Sequence, residues 1–159
     1  MTSFDEYDNE ENPLSLNITL IIEIIDTLLS GLIITANEHI DYYWSEWNVM
    51  SHYYRDNSVF TRIGPSIRCA NNEDKQTFCI CWNHYSVPLN GKRAYPTYIK
   101  KGNKQKYKRK SVTKHAQDWE MPLFDKYEDI FYEIRHSIAL LNKVQKQSKD
   151  IHDSINRIT

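Results

Sequence analysis

Glycine and proline are scarce in this chain, four and five residues in 159, which leaves little room for long linkers and fits one domain with a real core. The three cysteines, Cys69, Cys79 and Cys81, are an odd number with no secretory signal ahead of them. That favours reduced thiols in a cytosol over a disulfide framework. The first dozen residues hold five acids and no base, so they lack the positive start and apolar core of a signal peptide. They read as an acidic, disordered tail over residues 1–13, ahead of a single domain over 14–159. No segment repeats at a solenoid period. No glycine-rich phosphate loop and no Ser or Cys nucleophile signature occurs. The His-x-His pair that a tyrosine relaxase of the familiar type uses to hold its metal is also missing.

Acidic residues are absent from one long stretch. Residues 92–114, KRAYPTYIKKGNKQKYKRKSVTK, contain ten of the twenty lysines and arginines and no carboxylate. The remainder of the chain therefore carries ten basic and 21 acidic residues, so the net charge of −1 conceals a +10 segment set in a body of about −11. Tyr95, Tyr98 and Tyr107 interleave the cations. Such a mixture suits a polyanion, because ammonium groups displace phosphate counterions and rings stack on bases or sugars. The competing reading is a solvated lysine-rich loop.

Hydrophobic periodicity divides the chain into helix, strands and helix. Residues 17–50 read as one long helix, with Ile21, Ile25, Leu28, Leu32 and Ala36 in a stripe that Ile24, Leu29 and Ile33 widen. Such a width predicts burial on more than one side, or against a partner chain. Gly31 costs about 1 kcal/mol in a helix interior, so a kink or a close backbone crossing is expected there. Residues 14–34 are the most apolar, yet Glu23 and Asp26 would each cost about 2.5–3.5 kcal/mol at a bilayer centre. A buried core helix in a soluble, cytoplasmic protein that makes no membrane contact is expected instead.

The middle of the chain switches to period two. Segments 58–69 and 75–87, around NNED at 71–74, read as a hairpin, and Gly64-Pro65 suggests a bulge or an edge position. Asn90-Gly91 marks a second tight turn, before a third strand over about 94–100. A short helix over 111–118, capped by Ser111 or Thr113, leads to Pro122 and a last helix over 123–156. Its positions Phe124, Tyr127, Phe131, Ile134, Ile138 and Leu141 are spaced 3, 4, 3, 4, 3, a coiled-coil-like seam that weakens into Val144, Ile151, Ile155 and Ile158. The fold class is α+β in the order α-β-β-β-α. Two long helices of roughly 50 Å pair antiparallel and flank a three-stranded antiparallel meander. The helix stripes also predict a homodimer.

Little catalytic chemistry is on offer. Cys69, Cys79, Cys81 and His84 make a conceivable Cys3His set, but ligands on a strand lack the usual tight-turn spacing, and thiols filling a sheet core account for them as well. Asp118 and Glu120 flank Trp119 beside the basic run. A two-metal nuclease needs further carboxylates, so these read as surface acids at a helix start. Arg62, Arg68, Trp82, His84 and Tyr85 would let the sheet present a face to DNA, or would point partly into the core. No cofactor, no metal and no enzymatic activity is expected.

The run AYPTYIKKGNKQKYKRKSVTKHAQDWE, followed by a helix containing FYEIRHSIALLNK and preceded by a helix ending in YYWSEWN, resembles the MobI family of conjugative mobilisation proteins. The resemblance spans roughly residues 20–145. It rests on Tyr95 or Tyr98, Ile99, Lys101, Gly102, Ala116, Trp119, Glu120, Ile134 and Arg135. It implies an auxiliary factor that acts at an origin of transfer beside a relaxase, without cutting DNA itself.

The expected function is thus a DNA-binding accessory protein of conjugative mobilisation, with a relaxase or other transfer protein as partner. Its nucleic-acid contacts would be Lys92, Arg93, Tyr95, Tyr98, Lys100, Lys101, Lys104, Lys106, Tyr107, Lys108, Arg109, Lys110 and Lys114, with Trp119 and the long helices as scaffold. The alternative is a non-enzymatic protein-binding module, a mobile-element inhibitor or assembly component, whose basic segment docks on an acidic protein surface.

Overall fold

The computed structural model describes residues 12–54, 61–72, 75–86 and 95–158. Residues 1–11 of the expected acidic tail, the Asn90-Gly91 turn, Lys92 and Arg93 lie outside the described residues. The element order is α1 (Pro13–Tyr54), β1 (Thr61–Asn72), β2 (Lys75–Ser86), β3 (Pro96–Tyr98), α2 (Arg109–Thr113), a 3-10 turn (Asp118–Glu120) and α3 (Met121–Ile158). The α+β order α-β-β-β-α stands as expected, with the sheet antiparallel throughout in the order β1-β2-β3. The chain forms two compact units. One takes the described residues up to Ser30 together with those from Leu140 onward; the other is Gly31–Ala139.

Asn12 starts α1. Its side-chain oxygen accepts the Leu14 N–H at 3.0 Å, and Pro13, with no N–H to lose, takes the first helical position. Between Pro13 and Ser30 the helix does not become the buried core expected of it. Ile25 is buried, and Ile18, Ile22 and Leu29 are half-buried. Ile21, Ile24 and Leu28 stay about half exposed, so the wide stripe has one covered side and one open side. The reason is the partner helix. In this unit Ser15 meets His152 at 2.9 Å and Asn156 at 3.3 Å, and Gln145 donates to Asp26. One antiparallel helix covers only one stripe. The inward positions of α3 here are Leu141, Gln145, Ser148, His152 and Ile155, while Val144, Ile151 and Ile158 face out. At Gly31, an added Cβ would meet nothing within 4 Å, so the expected close crossing is not there.

In the other unit aromatic rings make the core. Trp82 on β2 takes edge contacts from Tyr43 of α1 (5.2 Å between centroids) and from Phe124 and Phe131 of α3 (4.9 and 5.9 Å). Tyr43 also meets Tyr127 at 5.5 Å. Each such pair contributes roughly 0.5–1.5 kcal/mol beyond its buried area. The α3 seam through Phe124, Tyr127, Phe131, Ile134 and Ile138 is buried, as its spacing predicts.

The Gly64-Pro65 step makes no bulge, because the register runs unbroken through Gly64↔Asn83 and Pro65↔Trp82. It is an edge position. Ile63 sends its N–H to Glu120 at 3.0 Å and takes the Tyr43 hydroxyl on its carbonyl at 2.8 Å, both away from β2. Pro65, two residues on, points the same way, so its missing N–H costs the ladder nothing. Gly64 serves packing: a Cβ there would lie 2.0 Å from Trp44 Cζ2. Gly64→Ala is therefore expected to displace the Trp44 indole and to cost about 1–3 kcal/mol by overpacking. Urea denaturation followed by tryptophan fluorescence checks this, and an unchanged midpoint would contradict it.

Candidate nucleic-acid interface

The described part of the basic segment is an anchored strap. After β3, the Ile99 N–H donates to the Trp82 carbonyl at 3.0 Å and the Ile99 side chain is buried. The chain reverses at Gly102, whose φ of 83° lies in the region that favours glycine. It returns past α3, where Arg135 Nε donates to the Gln105 carbonyl at 2.6 Å and the Tyr107 N–H donates to Glu128 at 2.7 Å. Val112, fully buried, fixes the short helix α2. That helix begins at Arg109 with Lys108 as its cap residue, so neither Ser111 nor Thr113 caps it.

Between the anchors the lysines point outward. Over residues 104–108 exposure alternates: Lys104, Lys106 and Lys108 are exposed, Gln105 is half-buried and Tyr107 is buried. Every second side chain of this bent segment is thus turned outward.

Tyr107 is thus not available to stack on a base. It is 3 % exposed, its hydroxyl accepts the Trp82 N–H at 3.2 Å, and the Arg135 guanidinium lies 5.1 Å from its ring. Burial pushes its hydroxyl pKa upward. Tyr95 is 75 % exposed, and Tyr98 is partly exposed with Arg68 at 5.5 Å over its ring. Lys100, Lys104, Lys108, Lys110 and Lys114 are exposed and make no ion pair among the described residues. Lys106 is paired with Asp129 at 2.8 Å and Arg109 with Asp125 at 3.2 Å, both acids on the surface of α3. The hydrogen bond to Asp129 raises the Lys106 pKa. Lys101 is half-buried and donates to Gln105 at 3.2 Å.

Of the two readings open for Arg62, Arg68, Trp82, His84 and Tyr85, the one that points them partly into the core holds: Trp82 is core, and the Arg62 guanidinium lies over Trp44, Trp47 and Tyr85 at 5.1–5.7 Å. His84 stacks on His115 with centroids 4.4 Å apart. Register also separates the sulfur atoms. Cys69 lies opposite Phe78, on the other face from Cys79 and Cys81, and among the described residues no group of metal-type ligands converges. The Cys79 thiol is lowered to about 6 by its hydrogen bond to Cys81, whose own pKa that bond and burial raise.

Of the two acids beside the basic run, only Asp118 is the surface acid expected. Glu120 is fully buried and accepts Trp47 Nε1 at 2.7 Å, Ile63 N at 3.0 Å and Gln117 N at 2.8 Å. Trp119 is scaffold as expected, half-buried against Trp47 with its N–H on Gln117. Sequence reasoning missed Tyr132 and His136, which stack on the outer side of α3 and line an open cleft with Asn103, Lys104, Gln105 and Lys106. Their i, i+4 spacing was the available signal.

Glu128 completes the site. Its carboxylate takes Trp82 Nε1 at 2.8 Å, the Tyr107 N–H and the Arg135 guanidinium, all out of water. Burial raises its pKa, while Arg135 and the N–H donors pull it down.

A family model described as MobI protein matches residues 32–149, most of the chain. The chain belongs to the MobI family. That membership ties it to mobilisation, as the resemblance in sequence implies, and the match includes the whole strap with Glu120, Glu128 and Arg135. No match was found among curated proteins or among solved structures.

Replacing Glu128 with glutamine would leave Arg135 buried without its counter-charge and set an amide N–H against N–H donors. A loss of about 3–5 kcal/mol is expected, measured as a fall in the unfolding free energy by chemical denaturation. A loss within a few tenths of wild type would show that the anchor is not needed.

Proposed function

We propose that this MobI-family protein is a DNA-binding accessory factor of conjugative mobilisation, acting in the cytoplasm at an origin of transfer beside a relaxase. The observation that carries the reading is the set of exposed lysines, Lys100, Lys104, Lys108, Lys110 and Lys114, held on a strap whose backbone is tied to β2 and α3. Holding the strap backbone in place before contact lowers the entropy that binding must overcome. Tyr95 and Tyr98, exposed at the start of the strap, supply ring faces for a base or sugar. The role is non-enzymatic in this reading. Glu120 and Glu128, the buried carboxylates nearest the strap, are engaged with N–H and guanidinium donors, which leaves them ill-placed to hold a catalytic metal.

Salt titration tests this directly. If the five unpaired lysines each neutralise one phosphate, log affinity falls against log salt with a slope of about −4.5. Reversing Lys104, Lys108, Lys110 and Lys114 to glutamate is expected to abolish the gel shift. Neutralising both α3 acids, Asp125→Asn with Asp129→Asn, frees Arg109 and Lys106 for phosphate. It should tighten binding and steepen the slope by about 2. A wild-type protein giving no shift at low salt would reject the reading in favour of an acidic protein surface as the partner of the strap.

A further inference from the structure

The arm formed by the first part of α1 and the last part of α3 leaves one apolar side uncovered. Its two helices run antiparallel, since Ser15 meets His152 and Asp26 meets Gln145. On α1 the covered stripe is Ile18, Ile22, Ile25 and Leu29. At about 100° per residue, Ile21, Ile24 and Leu28 lie roughly 70–130° from it in one rotational sense, and Leu20 lies nearly opposite it. Each of these four is 45–54 % exposed. On α3, Leu140, Val144 and Ile151 lie at a similar angle from the stripe of Leu141, Gln145, Ser148 and His152, again in that sense, and are 45–54 % exposed. Ile158 continues their line and is 84 % exposed. In two antiparallel helices, equal rotations in the same sense carry both stripes to the same side of the pair. The arm therefore has one continuous apolar face with heptad-like spacing.

We propose that this face is covered by the same face of a second copy of the chain, the two arms closing into an antiparallel four-helix bundle. The inference does not depend on DNA binding. Area chooses the occupant: at 45–84 % exposure these side chains leave roughly 700 Å² open per arm, close to the ~800 Å² per partner of a stable interface and above the few hundred Å² a monomer usually leaves open. Glu23 and Asp26 on α1 and Lys146, Lys149, Asp153 and Arg157 on α3 fall on the opposite rotational side, so closing the face buries none of these charges. A lipid bilayer fits less well. By length and composition α1 could cross one, and its most apolar window is almost wholly unburied. Crossing would carry Glu23 and Asp26 into hydrocarbon and strip Ser15 and Asp26 of their partners on the polar helix α3.

Sedimentation velocity of the full chain, from low to high micromolar, tests the proposal. Wild type is expected to be a dimer. The double variant Ile24→Glu with Ile151→Glu is expected to be a monomer with its helical circular dichroism and near-ultraviolet tryptophan signal retained, because both side chains are exposed. Should that variant lose helix, Val144→Ser with Ile151→Ser removes apolar contact without adding charge and is expected to weaken dimerisation at least tenfold. A wild-type monomer at high micromolar overturns the proposal, and so does a dimer that survives either variant with unchanged affinity. Wild-type monomer co-sedimenting with phosphatidylcholine vesicles, lost on Ile24→Glu, would overturn it in favour of a lipid-facing helix.

Discussion

A single buried carboxylate, that of Glu128, fixes where the basic strap lies. Its two oxygens receive the Trp82 indole N–H from β2, the Tyr107 N–H from the strap and the Arg135 guanidinium from about two turns further along α3. Arg135 in turn donates to the carbonyls of Gln105 and Ile80. A buried ion pair of this kind gives little net stability, because desolvating both charges offsets most of their attraction. What it supplies is a unique geometry. Only one arrangement of sheet, strap and helix satisfies all of these donors, and any slip would leave a charge or a backbone N–H buried without a partner.

Glu120 plays a parallel part at the other end of the same unit, holding Trp47 of α1, Ile63 of β1 and the Gln117 turn. In this unit the buried acids Glu120 and Glu128 serve internal donors, whereas Asp125 and Asp129, on the surface of α3, meet Arg109 and Lys106. The lysines left over form the exposed cationic set. A segment with no carboxylate of its own therefore keeps part of its charge open even in a body that is strongly anionic.

The hairpin, the order of elements and the α3 seam were legible because each rests on a simple period. Alternation of β-branched and aromatic residues over 61–72 and 75–86 sets the strands, and the 3, 4 spacing from Phe124 to Leu141 sets the buried helix face. The strap was legible in charge but not in depth. Tyr107 looks like a stacking ring among lysines, and its burial depends on Glu128 and Arg135, which lie far along the chain. Glu120 looked like an ordinary helix-start acid for the same reason: its donors come from Trp47 and Ile63, more than fifty residues away. For α1, composition revealed how apolar the helix is. It could not reveal that the facing part of α3 would offer one narrow seam containing Gln145, Ser148 and His152.

Hydrogen–deuterium exchange resolved to single amides tests the central claim that the basic segment is an anchored strap. In the absence of DNA, the Ile99 and Tyr107 amides are predicted to exchange as slowly as the core amides of β2, with fast exchange at Lys104 and Lys108 on either side of the Tyr107 anchor. Exchange of Ile99 and Tyr107 at the rate of an unstructured peptide would contradict the account.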